Sequence, residues 1–270
     1  MLSPNWVATF ERDGFVRLPA AFAREAAQAM LECVWAELER VHGLRRDRPA
    51  GWTMPFATGL QAIKDDPVFE PIGGPATCAG LDALFGPGAW RRPRQWGGIH
   101  TSFPEAAPHW TLPGEGWHFD FHLTESVRPL CGLTLFSLLD DLEPEGGGTL
   151  LVRGSHRYVE RFASERSPAE RSDFKAMRKA VHQSDPWLAE LWEGVREPAR
   201  VRSFLEHTHE ADGLPLQVAE LHGCAGDVVY MHPWTLHARS PNVRPTPRVV
   251  RIVQILRERA ESAPQTAARP

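Results

Sequence analysis

The stretch GEGWHFDFHL, residues 114–123, sets His118 and Asp120 two positions apart among Trp117, Phe119 and Phe121. Polar and aromatic residues alternate here as in a strand, where side chains at i and i+2 share a face. An imidazole and a carboxylate on a buried face are costly unless they pair with each other, with further side chains or with a bound group. One face presents both to a single metal ion, but two ligands hold a metal weakly. The segment GDVVYMHPWTLHARSPN, residues 226–242, supplies two candidates for a third, His232 and His237. A hydrogen-bonded His–Asp pair with no metal remains the plain alternative at this point.

The surrounding pattern places this stretch in a β-rich core. From about residue 89, short apolar or alternating runs recur between turn residues: QWGGIHTSF, GWHFDFHL, CGLTLFSLLD, GTLLVRGSH, LQVAEL, GDVVYMHP and RVVRIVQIL. That texture predicts an antiparallel sandwich or barrel. Before it, residues 4–12 read as a short helix ending ahead of Gly14, FVRLP as a strand, and residues 77–85 as a helix closed by GPG. Residues 21–42 carry Ala27, Met30, Leu31, Val34, Trp35, Leu38 and Val41 at helical spacing, with Gly43 as the stop. The strand pattern is interrupted by a Glu-, Arg- and Ala-rich region in which SDPWLAELW offers Asp185 as an N-cap and Pro186 at the first helical position. The expected organisation is one domain over 1–270: helical support in 1–88, a core in 89–258 with a helical insertion at about 159–210, and a flexible tail in 259–270. Gly146, Gly147 and Gly148 read as a tight or bulged hairpin turn, since no helix start follows as it would in a phosphate loop.

Composition bounds the function. The net charge of −4 over 270 residues predicts no general affinity for nucleic acid or an anionic membrane. No apolar run is long enough to span a bilayer, and the first residues lack the pattern of a secretory signal. The four cysteines, Cys33, Cys78, Cys131 and Cys224, are scattered without a C-x-x-C pair, which points to a reduced, cytoplasmic setting.

A His-x-Asp segment with one distant histidine is the donor set of the 2-His-1-carboxylate facial triad, which leaves three adjacent positions open on an iron ion. The motifs around it resemble the phytanoyl-CoA dioxygenase-like family of Fe(II)/2-oxoglutarate oxygenases. FERDGFVRLPAAF resembles that family's N-terminal helix and strand, GWHFDFH its W-H-x-D segment, EGGGTLLVRGSHR its glycine-rich hairpin, and GDVVYMHPWTLHARSPN its strand pair ending in P-N. The resemblance implies a double-stranded β-helix, a jelly-roll or cupin-like barrel. It implies His118, Asp120 and His237 as the metal ligands and leaves His232 as a supporting or structural histidine. Arg248, eleven residues after His237, falls where the family places the arginine that grips the distal carboxylate of 2-oxoglutarate; Arg251 fits that spacing less well. A guanidinium suits the task because it binds a carboxylate bidentately and stays charged when buried. Thr134 and Phe136 fall where the family lines its cosubstrate pocket. After the distal histidine this chain has Ala238-Arg239-Ser240 in place of a small residue followed by a hydroxyl, so either Ser240 supplies that hydroxyl or Arg239 adds charge there.

The implied cofactors are Fe(II), 2-oxoglutarate and O2. The implied reaction is oxidation of a small molecule, with hydroxylation of an unactivated C–H and release of succinate and CO2. A carboxylate at Asp120 argues against halogenation, since related halogenases carry Ala or Gly there. His122, His100 and Arg128 are candidates for the substrate side. Two other readings use the same residues: a cupin-like metalloenzyme without 2-oxoglutarate, which has no use for Arg248, and a non-catalytic binding barrel, which has no use for a metal.

Overall fold

The computed structural model describes residues 2–106, 109–123, 129–195 and 197–258. The tail expected over 259–270 and the candidate Arg128 lie outside the described residues. Helix α1 (Trp6–Asp13) stops where Gly14 adopts a left-handed φ of 82° and donates its N–H to the Phe10 carbonyl. Strand β1 (Phe15–Leu18) follows, then α2 (Arg24–His42), ended by Gly43 in the same left-handed conformation. The α2 stripe from Ala27 to Leu38 is buried as its spacing predicts, while Val41 in the last turn is exposed. Three short 3₁₀ segments between residues 49 and 73 lead into α3 (Pro75–Phe85).

The β elements begin with β2 (Gly98–Ser102), β3 (Gly132–Leu138) and β4 (Thr149–Arg153). Five helices come next: α4 (Ser155–Ser164), α5 (Pro168–Ser172), α6 (Phe174–Gln183), α7 (Pro186–Glu193) and α8 (Pro198–Glu206). Asp185 caps α7 by accepting the N–H groups of Trp187 and Leu188, as the sequence predicts. The chain then completes β5 (His209–Ala211), β6 (Leu214–Glu220), β7 (Val228–Met231), β8 (His237–Arg239) and β9 (Arg248–Leu256).

Two antiparallel sheets result, one in the order β1-β7-β3-β9-β2 and the other β5-β6-β4-β8. They form the jelly-roll architecture, with helices packed on both outer faces. Residue parity assigns each side chain to a layer. In β3, Leu133 and Leu135 join the cluster formed with α1, α2 and α3, while Phe136 and Leu138 turn into the space between the sheets. In β7, Val228 and Tyr230 face the helices and Val229 and Met231 face inward. In β4, Leu150 and Val152 pack against the insertion helices and Leu151 points inward. β3 is buried along its whole length because both of its faces are covered, which is why apolar residues fall on both faces and only the small hydroxyls of Thr134 and Ser137 interrupt the run.

The same parity decides the arginines of β9. Val250 and Ile252 belong to the inner cluster and Val249 to the outer one, so Arg248 faces the interior and Arg251 the helical layer. Arg251 is fully buried there. It donates to the carbonyls of Gly97 and Lys64 and lies 3.8 Å from the Phe69 ring centroid.

The structure departs from the sequence reading at GEGWHFDFHL. This stretch is not a regular strand: His118 alone forms a bridge, with His237, and the chain bends at Asp120 and Phe121. The cause lies in the partner segment. The turn closed by the Thr235 N–H on the His232 carbonyl bends the backbone away, so the N–H groups of Asp120 and Phe121 both go to the Pro233 carbonyl. The Gly-Ser-His at 154–156 likewise opens α4 and does not prolong a hairpin. Strand β5 was not anticipated, since three residues are too few to show alternation, while β7 and β8 form the strand pair expected over residues 226–242.

Asp227, almost wholly buried, ties the β1–α2 connection to the turn before β7. Its carboxylate accepts from Arg17 Nη1 at 2.9 Å, from the Ala20 N–H at 2.9 Å and from the Cys224 N–H at 3.0 Å. Asp227→Ala strands these donors. The expected outcome is a loss of roughly 2–4 kcal/mol in denaturant unfolding, with little change in m-value.

Candidate active site

The site lies between the sheets. His118 and His237 exchange backbone hydrogen bonds in both directions, at 2.9 and 2.8 Å, which brings their rings to a centroid separation of 4.1 Å. Each Nδ1 is engaged by a backbone carbonyl two residues earlier, Gly116 at 2.7 Å and Thr235 at 2.9 Å. A carbonyl only accepts, so Nδ1 carries the proton and donates, and the Nε2 lone pair is left for another partner. Both Nε2 atoms face Asp120 Oδ1, at 3.6 Å from His118 and 3.5 Å from His237. These separations are too long for hydrogen bonds. Two donors about 2.1 Å from one ion and at right angles to each other stand about 3 Å apart, so the spacing suits a shared ion after a small contraction. His118, Asp120 and His237 each offer a ligand atom within 4.8 Å of the others. The other Asp120 oxygen, Oδ2, accepts the Thr134 hydroxyl at 2.5 Å, which orients the carboxylate. Burial favours the neutral His237 imidazole, the form that ligates, against the pull of the Asp120 charge.

His232 is placed elsewhere. Its ring lies 4.7 Å from His156 and 5.9 Å from Phe10, and its Nδ1 accepts the Trp234 N–H. His156 itself braces α4 against α1 by donating Nε2–H to the Glu11 carbonyl.

A cavity of about 670 Å³ opens onto the triad and is also lined by Thr134, Phe136, Thr149 and Arg248. Arg248, 7% exposed, donates from Nη1 to Thr149 Oγ1 at 3.3 Å, and its buried Nε has no hydrogen-bond partner among the described residues. Burial, and after it the charge of Arg239, pushes the guanidinium down to about 10, so it stays protonated at neutral pH. The donor chemistry fits both implied groups. Two imidazole nitrogens and one carboxylate oxygen suit a ferrous ion, and a buried guanidinium with an unmet donor suits the far carboxylate of a keto-diacid.

The remaining candidates divide. His100, on β2, opens into the cavity, where the surrounding walls and then the Arg248 charge favour its neutral form. His122 is exposed and lies 4.5 Å from the Phe174 ring of α6, outside that cavity, because the bend at Asp120 ends the strand that would have aligned it with the triad. Ser240, 1% exposed, is turned away from the cavity. Its hydroxyl is shared between Glu220 Oε1 at 3.4 Å and the Pro241 carbonyl at 3.3 Å. Glu220 draws it there, a carboxylate whose desolvation pushes it up to about 7 despite the N–H of Glu145 and the Ser240 hydroxyl.

Two contributors escaped the sequence reading. Thr149, the hydroxyl beside Arg248, was findable from the parity of Leu150 and Val152. Arg178 of α6 was not. It reaches from the insertion to donate Nη2–H to the Trp117 carbonyl at 3.0 Å, and burial lowers its pKa while the Asp120 charge works the other way.

The family model described as phytanoyl-CoA dioxygenase (PhyH) matches residues 10–250. The ectoine dioxygenase of Bordetella parapertussis is 26% identical over 260 residues, covering 92% of this chain and 73% of that protein. Among solved structures, AviO1 from Streptomyces viridochromogenes superposes with a TM-score of 0.54 at 18% identity, covering 98% of this chain and 99% of its own. HygX from Streptomyces hygroscopicus, with nickel and 2-oxoglutarate bound, has a TM-score of 0.51 at 15% identity, covering 95% of this chain and 87% of its own. At such identities the two structures show a common fold.

Thr134→Val deletes the donor to Asp120 and keeps the side-chain shape. The expected outcome is a metal affinity lower by about 10- to 100-fold in a competitive chelator titration, restored by Thr134→Ser. Glu220 predicts a pH effect. Between its ordinary 4.5 and about 7 the folded chain holds a proton that the unfolded chain has released, so this group lowers stability as pH rises through that window. Unfolding across pH 4–8 should show wild type losing ground to Glu220→Gln over that range; parallel curves would acquit Glu220.

Proposed function

Because this chain belongs to the phytanoyl-CoA dioxygenase family, whose members are Fe(II)/2-oxoglutarate-dependent dioxygenases, we propose that it hydroxylates an unactivated C–H of a small molecule and that His118, Asp120, His237 and Arg248 carry the reaction. The observation that supports this reading best is the meeting of three ligand atoms and a buried, under-satisfied guanidinium in one cavity. Bound iron and 2-oxoglutarate supply the oxidising chemistry: O2 is consumed, the keto-acid becomes succinate and CO2, and one oxygen atom passes to the substrate.

The chain's own part is to bind and aim. His118 and His237 present Nε2 because their Nδ1 protons are committed to backbone carbonyls. Thr134 keeps one Asp120 oxygen occupied, so the other points at the imidazoles. Arg248, held by Thr149, receives the distal carboxylate of the cosubstrate, with Phe136 and Ile252 lining the same cavity. The Asp120 carboxylate fills the place a halide would need, which favours hydroxylation over halogenation. The named activity of the ectoine dioxygenase relative supports a small-molecule substrate here too. No helix among the described residues is long and apolar enough to cross a membrane. No disulfide joins Cys33, Cys78, Cys131 or Cys224, and a cytoplasmic setting fits that cysteine usage.

The test incubates Fe(II)-loaded protein with 2-oxoglutarate, O2 and pooled candidate metabolites, following succinate and a mass gain of one oxygen atom. Substrate-dependent succinate is expected from wild type and none from His118→Ala; succinate formation that survives His118→Ala would sink the assignment. Arg248→Met should raise the KM for 2-oxoglutarate by on the order of 100-fold, the loss expected when a charge-assisted pair to a buried carboxylate is removed.

A further inference from the structure

We infer that Lys64 is the anion-binding residue for the substrate, and that the substrate is a small molecule with a single carboxylate-type charge. This rests on the oxygenase reading of the site and adds the chemical class of what enters it. The cavity that holds the triad is also lined by Lys64, from the end of the 3₁₀ segment Leu60–Ile63. At about 670 Å³ it lies within the range of roughly 300–1,000 Å³ common for small-molecule sites, with room for more than the cosubstrate.

The charges along its walls are unevenly committed. Among the described residues, Asp120 is the one acidic residue lining it and Lys64, Arg239 and Arg248 are the cations. Arg239 is occupied: its Nη2 donates to Glu105 Oε1 at 2.7 Å and its guanidinium lies 5.2 Å from the Phe56 ring centroid. Arg248 is assigned to the cosubstrate. The ammonium of half-buried Lys64 has no hydrogen bond or ion pair among the described residues.

The acids beside Lys64 in the chain do not serve it. Asp65 faces Arg94 at 3.9 Å, and Asp66 caps the next 3₁₀ turn through the Val68 N–H. The Lys64 backbone, by contrast, is firmly placed. Its N–H reaches the Gln61 carbonyl and its own carbonyl accepts from Arg251 Nη2 at 2.8 Å, so a fully buried arginine pins the residue to the barrel wall. A fixed backbone carrying an unengaged ammonium at a cavity wall is pre-organised for an anion. One ammonium matches one negative charge; a polyphosphate would require a cluster of cations. His100, exposed in the same cavity and held toward its neutral form, offers a further hydrogen bond without adding charge.

The test uses wild type, Lys64→Met and Lys64→Arg, each loaded with Ni(II) and saturated with 2-oxoglutarate so that Arg248 is engaged. Hexanoate and benzoate are titrated by calorimetry beside hexanamide and benzamide. The carboxylates should bind wild type about tenfold or more tightly than Lys64→Met, the size of a lost charge-assisted contact, with recovery in Lys64→Arg and no such difference for the amides. Equal carboxylate affinity in wild type and Lys64→Met, or no carboxylate binding to wild type, overturns the assignment. So does loss of 2-oxoglutarate binding in Lys64→Met, which would put the lysine on the cosubstrate. Failure of 2-oxoglutarate to bind wild type overturns the oxygenase reading instead, and the carboxylate difference between wild type and Lys64→Met still decides the role of Lys64.

Discussion

The reciprocal backbone hydrogen bonds between His118 and His237 are the constraint on which the site depends. They join a bent, non-strand segment to β8, and β8 is held by β4 in the four-stranded sheet. Asp120 reaches the opposite sheet through Thr134 of β3. The triad therefore spans the sandwich, with one imidazole on β8, one on the bridging segment and the carboxylate tethered to β3. A shift of either sheet would change the separation of the three ligand atoms. The apolar cluster between the sheets, with Phe136, Leu151, Met231 and Val250, fixes that distance through close packing.

Charge inside the barrel is tolerated because each buried group has a restricted partner. Arg251 donates Nε and Nη2 to two backbone carbonyls and lies against Phe69, leaving only its Nη1 without a hydrogen-bond partner among the described residues. Arg248, three residues earlier, has one hydroxyl and an unmet Nε. The two arginines are chemically identical, yet one is held by backbone carbonyls in the helical layer and the other lines the cavity with a single hydroxyl partner. An unpaired buried guanidinium destabilises the free protein, and that deficit becomes binding free energy when a carboxylate arrives. The insertion helices take part as well, since Arg178 of α6 steadies the Trp117 carbonyl immediately before His118.

Much of the architecture was legible because long elements bury a periodic stripe. The α2 stripe and its Gly43 stop, the Asp185 cap of α7 and the run of β3 all follow from local chemistry. The order of motifs also pointed to a His-x-Asp plus distal-His donor set, and the two-residue spacing of His118 and Asp120 keeps them on one side even without a strand. Ser240 and His122 were not legible. Ser240 is claimed by Glu220, twenty residues earlier in the chain, and His122 is lost to the triad face because a turn at Pro233 bends the segment opposite. Neither partner leaves a mark in the local pattern.

The amino-acid sequence by itself determined the layers of the sandwich, the helical brace and the residue types offered to a metal and a keto-diacid, because these follow from periodicity and side-chain chemistry. The motif resemblance already favoured His237 over His232 and Arg248 over Arg251; only the tertiary structure decided how these side chains turn inward, which hydroxyl orients the carboxylate and which lysine is left unengaged at the cavity wall. Those outcomes depend on strand parity, register and contacts between residues far apart in the chain, and no local window of sequence contains them.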